Sequence, residues 1–150
     1  MTAPPPLDAD AAIATLGLAP HPEGGWFAET WRDEPAGGGR GTGTAIYFLL
    51  KADEASHWHR VDAVEIWHHH AGAPVDLQLA DDEHGPVRTL RLGPDLAAGE
   101  RPQVIVPVGA WQAARPVGGA ALVGCTVSPA FVPEGFTLAP PGWAPGAAPT

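Results

Sequence analysis

Hydrophobic residues occur along most of the chain in short runs, and Gly, Pro and Asp residues interrupt these runs. Some runs alternate with polar residues and others are continuously apolar, as expected for strands with one or two buried faces. Residues 44–50, T-A-I-Y-F-L-L, are the strongest example because they are β-branched, aromatic and aliphatic. The pattern predicts about nine short strands, at residues 26–32, 44–50, 64–70, 75–80, 87–92, 104–107, 111–115, 121–127 and 136–138.

One short helix is predicted near the N-terminus, within residues 7–18. Asp8 is placed to cap its first turn, Ile13 and Leu16 face inwards, and Gly17 ends it. Residues 1–6 and 140–150 are rich in Pro, Ala and Gly, and we expect both segments to be flexible. A single folded domain is therefore predicted over residues 7–139.

The composition favours an all-β fold. The chain of 150 residues contains 19 glycines and 18 prolines, which disfavour long helices and suit many tight turns. Short strands separated by turns are typical of a sandwich or a barrel. A small barrel can hold one ligand inside, so the interior is a candidate binding site.

The net charge of −9, with only eight Lys and Arg residues, argues against nucleic acid and anionic membranes as partners. No apolar run approaches the length of a membrane span, and the first residues lack the pattern of a signal peptide. We therefore expect a cytoplasmic protein. The lone cysteine, Cys125, lies in an apolar stretch and is interpreted as a buried residue.

The segment from Ser56 to Gly72 contains the most informative chemistry. It places His57, His59 and Glu65 in an H-x-H-x5-E spacing. In a regular strand, His57 and His59 point to the same side. Two imidazoles and a carboxylate form a common metal-binding set for first-row metals. A run of surface histidines is the alternative interpretation, and the spacing alone leaves it open.

Other residues extend this candidate site. Regular alternation after Val64 puts Trp67 and His69 on the face of Glu65, where an aromatic wall and a second imidazole would contact a ligand. The only tyrosine, Tyr47, is a candidate general acid, although a buried hydrogen-bonded tyrosine is an equal alternative. Glu29 either forms a salt bridge or lines the pocket.

Two motifs resemble those of the cupin superfamily. His57, His59, Glu65 and Gly72 match its first motif, with five residues rather than three or four before the glutamate; Pro107 and Gly109 match its second. Gln112 stands where the second motif has a histidine. Segments from about Leu16 to Phe131, among them S-H-W-H-R-V-D-A-V-E-I-W-H, resemble the cupin subfamily called domain of unknown function 985. The resemblance implies a double-stranded β-helix, the jelly-roll barrel of cupins.

The resemblance also implies a function inside the barrel. His57, His59, Glu65 and Gln112 would hold a divalent first-row metal, Zn, Ni, Fe or Mn, or would instead form hydrogen bonds to an organic ligand. No nucleotide cofactor is expected. We predict a protein that binds a small polar metabolite, with sugars among the candidates, and acts as a metal-assisted isomerase or epimerase, or as a related enzyme, through His57, His59 and Glu65. A non-catalytic module that binds a metabolite or metal is the alternative, and a structural protein with a dry core is a third. A homodimer through edge strands is expected, with residues 26–32 as the candidate edge.

Overall fold

Two antiparallel β-sheets form the framework of the protein in a computed structural model that describes residues 6–146. The strand order is β1-β2-β3-β10-β5-β8 in one sheet and β11-β4-β9-β6-β7 in the other. The strands are β1 (Ala19–Pro20), β2 (Trp26–Arg32), β3 (Thr44–Leu50), β4 (Ser56–Val61), β5 (Val64–Gly72), β6 (Val75–Ala80), β7 (Arg88–Leu92), β8 (Gln103–Val106), β9 (Trp111–Pro116), β10 (Ala121–Ser128) and β11 (Phe136–Leu138). Short 3₁₀ helices span Leu96–Ala98 and Pro133–Gly135. The predicted all-β jelly-roll barrel is confirmed.

The predicted N-terminal helix is present as α1 (Ala9–Leu16). The side chain of Asp8 accepts a hydrogen bond from the backbone N–H of Ala11 at 3.0 Å, which satisfies one free donor of the first turn. Gly17 ends the helix in the left-handed region, at φ 68°, and its N–H donates to the Ile13 carbonyl. No helix among residues 6–146 has both the length and the apolar character needed to cross a membrane.

The main core lies between the two sheets. Inward-facing side chains of both sheets build it, because alternate residues of each strand point to the same face. Its buried members include Phe48, Leu50, Trp67, Val75, Leu77, Leu79, Leu92, Val104, Val106, Val123 and Cys125. A second cluster on the far side of β4 and β9 contains Trp58 and Trp111.

The chain after residue 139 contacts the rest of the protein. Trp143 packs on Trp111 with ring centroids 4.6 Å apart, and the N–H of Gly146 donates to the carbonyl of Glu83 at 2.8 Å. The flexibility of this segment stays a prediction. Residues 147–150, and residues 1–5 of the predicted flexible N-terminus, lie outside the described range.

Strand β2 is not quite the edge that the sequence predicts. The two-residue strand β1 flanks it, pairing with Trp26 and Phe27. Trp31, further along β2, is 52 % exposed. The homodimer through this edge stays a prediction.

Candidate active site

A cavity of about 140 Å³ lies between the two sheets. A cavity of about 150 Å³ can hold a benzene ring, so a molecule of about that size fits this one. The lining residues are His21, Glu23, Phe27, Glu29, Arg32, Thr44, Ile46, His59, Val61, Glu65, Cys125, Val127, Phe131, Pro133 and Phe136. Most of the wall surface is apolar, although seven of the lining residues carry titratable groups. This composition is typical of small-molecule sites.

Strand β4 contributes to the cavity through a bulge. The paired residues are Ser56 with Ala114 and His59 with Gln112, so three steps along β4 match two steps along β9. A bulge of this kind shifts the alternation of side chains by one residue. Ser56 and His59 are therefore both buried and face inwards, at 1 % and 2 % exposure. His57 lies on the other side and donates from Nε2 to the Pro140 carbonyl at 2.9 Å.

A turn before β2 supplies the partner of His59. Glu23 is buried beside β4, and its carboxylate accepts hydrogen bonds from Ser56 Oγ and from His59 Nδ1, the latter at 2.9 Å. The turn needs glycine, because Gly24 has φ 108° and an added Cβ would meet the Ala55 carbonyl oxygen at 2.2 Å. The hydrogen bonds of His59 use Nδ1, which also lies 2.8 Å from the His57 carbonyl, so Nε2 is the nitrogen that can serve a ligand.

His21, on the same turn, also lines the cavity. The backbone N–H of Glu23 donates to His21 Nδ1 at 3.1 Å. This bond makes Nδ1 an acceptor, so the proton of the neutral ring sits on Nε2. Burial lowers the pKa of His21, and the charge of His59 lowers it further. The nearby Glu23 carboxylate raises it, but the net pKa remains below the usual value. His21 is therefore a neutral hydrogen-bonding group at pH 7.

His59 and Glu23 form a buried ion pair. Burial by itself lowers the pKa of His59, but attraction and hydrogen bonding to Glu23, with a further contribution from Glu65, raise it to about 9. Burial by itself raises the pKa of Glu23. The charge and the hydrogen bond of His59 outweigh this effect and bring the pKa of Glu23 below its usual value. At neutral pH the pair is therefore an imidazolium and a carboxylate.

Glu65 reaches the cavity from the other sheet, on β5. Burial is the largest effect on its pKa and raises it, the Glu23 charge raises it further, and His59, Gln112 and Cys125 lower it, with a net value of about 7. Burial and the neighbouring carboxyl groups raise the pKa of the Cys125 thiol well above its usual value. Glu65 can therefore exchange a proton near neutral pH, whereas Cys125 stays a thiol.

Gln112 links Glu65 to the core. Its Nε2 donates to Glu65 Oε1 at 2.8 Å, and its Oε1 accepts from Trp67 Nε1 at 2.8 Å. An indole N–H can only donate, which fixes the amide oxygen towards Trp67. Each end of the amide therefore makes one hydrogen bond inside the protein, and Gln112 does not line the cavity.

The predicted metal set does not fit this geometry. His57 faces away from the cavity, and Gln112 lies behind it with its oxygen accepting the Trp67 hydrogen, so two of the four expected donors do not line the cavity. Within residues 6–146, no group of three or more His, Cys, Asp or Glu side chains is arranged to hold a metal ion. The alternative use of these residues, hydrogen bonding around an organic ligand, fits the contacts better.

Comparisons with known proteins agree with this architecture. Residues 10–139 match the family model described as Cupin superfamily (DUF985). The chain belongs to this family. It is 42 % identical to a crystallised protein of Shewanella oneidensis, with a TM-score of 0.82 and coverage of 88 % of this chain and 84 % of that one. A hypothetical protein from Leishmania major is 33 % identical, with a TM-score of 0.77 and coverage of 86 % and 85 %.

A more distant structure shares the cupin fold only. Oxalate decarboxylase of Bacillus subtilis is 12 % identical, with a TM-score of 0.59 over 79 % of this chain and 29 % of that one. A search of curated proteins found no match.

The remaining predicted residues of this cupin are dispersed. Trp67 is buried behind the cavity and holds Gln112, while Tyr47 lies on the outer face near His70, with ring centroids 6.0 Å apart. His69 donates from Nε2 to the Ala73 carbonyl at 2.9 Å and does not line the cavity. Glu29 does both things considered for it, since it lines the cavity and pairs with Arg32. Of the eight predicted site residues, His59, Glu65 and Glu29 therefore line the cavity, and five do not: His57, Tyr47, Trp67, His69 and Gln112.

Four residues of the site were missed by sequence reasoning: His21, Glu23, Arg32 and Ser56. The segment H-P-E-G-G, residues 21–25, has the composition of a turn, but the pairing of its Glu23 with His59 joins residues far apart in sequence. A histidine and a glutamate inside an otherwise small, Gly-rich turn were the available signal.

Proposed function

We propose that this cupin is an acid–base enzyme that moves a proton at the carbon next to a carbonyl group in a small polar compound, as isomerases and epimerases do. The observation that carries the proposal is the placement of His59 and Glu65. They reach one small cavity from opposite sheets, and each is held by its own buried partner, Glu23 or Gln112. Titratable groups with separated pKa values in one pocket are typical of acid–base pairs.

His59 is suited to be the acid. Its pKa of about 9 keeps the ring protonated at pH 7, and Nδ1 is anchored to Glu23. Nε2–H can then donate to the carbonyl oxygen of a substrate and stabilise the charge that develops there. The buried hydrogen bonds fix the ring before the substrate arrives.

Glu65 is suited to be the base. With a pKa of about 7, a large fraction is ionised at neutral pH, yet the carboxylate is basic enough to accept a proton from carbon. Removal of that proton leaves an enol or enolate, whose oxygen, the former carbonyl oxygen, is hydrogen-bonded to His59 Nε2. Return of a proton to the opposite face of the same carbon completes an epimerisation. In a hydroxy carbonyl compound, return of the proton to the former carbonyl carbon, with transfer of the hydroxyl proton to the other oxygen, completes an isomerisation, and neither reaction requires an external oxidant.

The wall of the cavity limits the substrate. Phe27, Ile46, Val127, Phe131 and Phe136 offer no hydrogen bonds from their side chains. A sugar ring would fill a cavity of about 140 Å³ and place hydroxyl groups against these apolar side chains. A smaller hydroxy or keto compound is therefore a better substrate candidate than a nucleotide sugar.

Exchange of carbon-bound hydrogen with solvent tests the proposal directly. The protein is incubated in D₂O at pH 7.5 with dihydroxyacetone, glyceraldehyde, pyruvate and 2-oxobutanoate, and proton NMR follows loss of signal next to each carbonyl. We expect exchange with at least one compound, reduced by about 10²-fold or more in His59→Gln and in Glu65→Gln.

His57→Gln is the matched control, because it removes an imidazole two residues away on the same strand but outside the cavity. It should keep the exchange rate. Equal loss in His57→Gln, or no exchange with any compound, contradicts the proposal. A compound that binds without exchange would instead support the non-catalytic binding protein.

A further inference from the structure

A second bulge brings an arginine to the mouth of the cavity. The pairing of β2 with β3 shifts between Glu29 and Trp31, so that Glu29 pairs with Ile46 and Arg32 with Thr44. Residues three apart in a regular strand lie on opposite faces, but the bulge puts Glu29 and Arg32 on the same one. Both line the cavity, and both are more exposed than His59 or Glu23, at 37 % and 30 % for Glu29 and Arg32.

Arg32 already holds a carboxylate. Its Nε donates to Glu29 Oε1 at 2.9 Å and its Nη2 donates to Oε2 at 2.8 Å. Its Nη1 donates to the Phe131 carbonyl at 2.7 Å, which anchors the guanidinium from the other side. The two parallel bonds to Glu29 have the bidentate geometry in which Arg recognises carboxylates. The backbone anchor would remain if Glu29 swung out into solvent.

A row of paired residues connects Arg32 to Glu65. Arg32 pairs with Thr44 on β3, Thr44 with Val127 on β10, and Val127 with Glu65 on β5. All four line the cavity. Adjacent strands are about 4.8 Å apart, so the two ends of the row are about 14 Å apart along the backbone. The side chains of Arg32 and Glu65 shorten this gap, and a small molecule lying on Thr44 and Val127 would reach both.

We propose that the ligand of the cavity is a small carboxylic acid, whose carboxylate displaces Glu29 from Arg32 while its other polar end reaches His59 and Glu65. This inference rests on the proposed function for the second contact but not for the first. Among the cavity-lining residues within 6–146, Arg32 is the only Lys or Arg. The imidazolium of His59 is paired with the buried Glu23, whereas the Glu29 partner of Arg32 is partly exposed and can move into solvent, so Arg32 is the cation open to a ligand carboxylate.

The Glu29 carboxylate sets the affinity. An entering carboxylate competes with a partner that is tethered to the same strand, so binding is weaker than to a free guanidinium. Removing the charge of Glu29 while keeping its shape therefore favours the ligand.

Calorimetric titration at pH 7.5 and constant ionic strength tests this, with acetate, propionate and lactate against the matched amides acetamide, propionamide and lactamide. We expect at least one acid to bind ten-fold or more tightly than its amide. Glu29→Gln should tighten the acid several-fold and leave the amide unchanged. Arg32→Gln should remove the preference, with Arg32→Lys restoring part of it.

Thermal unfolding of each ligand-free variant checks that the fold is kept. If Arg32→Gln does not fold, the tighter acid binding expected for Glu29→Gln is the test of the inference. An acid that binds no better than its amide, or a preference that survives in Arg32→Gln, overturns the inference. If the wild-type protein exchanges carbon-bound hydrogen in D₂O but binds no acid better than its amide, the carboxylic acid inference is overturned and the enzymatic proposal stands. An acid preference without exchange would remove only the enzymatic proposal and leave a carboxylate-binding cupin.

Discussion

Strands β4 and β5 follow one another in the chain, and both contain histidines, yet regular alternation predicts the buried face only in the first part of β5 and fails on β4. On β5, Glu65 and Trp67 are buried on one face, as regular alternation requires. On β4 the bulge between Ser56 and His59 turns His57 away and brings Ser56 in. Alternation therefore predicts a face only as far as the next bulge, and bulges occur often beside active sites.

The largest expected difference between the strands is in stability. His59→Ala leaves the buried Glu23 carboxylate without its positive partner, and we expect a loss of about 3–5 kcal/mol in the free energy of unfolding. His57→Ala removes one partly exposed hydrogen bond and should cost about 1 kcal/mol. Urea unfolding measures both. Similar losses for the two variants would mean that His57 is as buried and paired as His59.

The pH dependence of stability should separate β4 from β5. His59 has its pKa raised from 6.5 to about 9, so the folded state keeps a proton that the unfolded state loses, and stability falls between these pH values. The pKa of Glu65 is raised from 4.5 to about 7, so the folded state also holds this proton more tightly than the unfolded state. Stability therefore falls as the pH rises from 4.5 to 7 as well. The His59 contribution is at most about 3 kcal/mol.

Glu65→Gln distinguishes the two contributions. It should flatten the fall between pH 4.5 and 7. Glu23 does not affect this range, because its lowered pKa makes stability rise only up to about pH 4.5 and its contribution is constant above that value. The fall above pH 7 should remain. Thermal unfolding at intervals of pH measures this, and a loss of the high-pH fall in Glu65→Gln would contradict the assignment of that fall to His59.

A substitution at Gln112 tests whether this residue joins the strands through hydrogen bonds of its amide or occupies the position of a metal ligand. Gln112→His breaks the bonds to Trp67 and Glu65, and we expect a loss of about 1–3 kcal/mol. Calorimetry with Ni²⁺ should show no gain in affinity, because His57 is absent from the cavity. A clear gain with unchanged stability would restore the metal set predicted from the sequence.

Much of the fold could be predicted from the sequence, because apolar runs and turn residues determine strands locally. The predicted strands and the Asp8-capped helix are present, and Glu65 and His59 do line the cavity. The missed contacts depend on two bulges and on a turn that packs against a strand more than 30 residues away, at Glu23 and Ser56. Neither periodicity nor a short motif contains that information.

The smallest expected effect lies on β5 itself, beyond the part where alternation holds. The pairing of β5 with β10 shifts between Leu122 and Val123, next to His69, whose Nε2–H bonds the Ala73 carbonyl. His69→Gln should cost about 1 kcal/mol or less. It should leave solvent exchange and acid binding unchanged, because His69 does not line the cavity. Urea unfolding and lactate titration measure the two. A loss of binding that equals that of Glu65→Gln would mean that the whole inner face of β5 contacts the ligand, as its sequence pattern predicts.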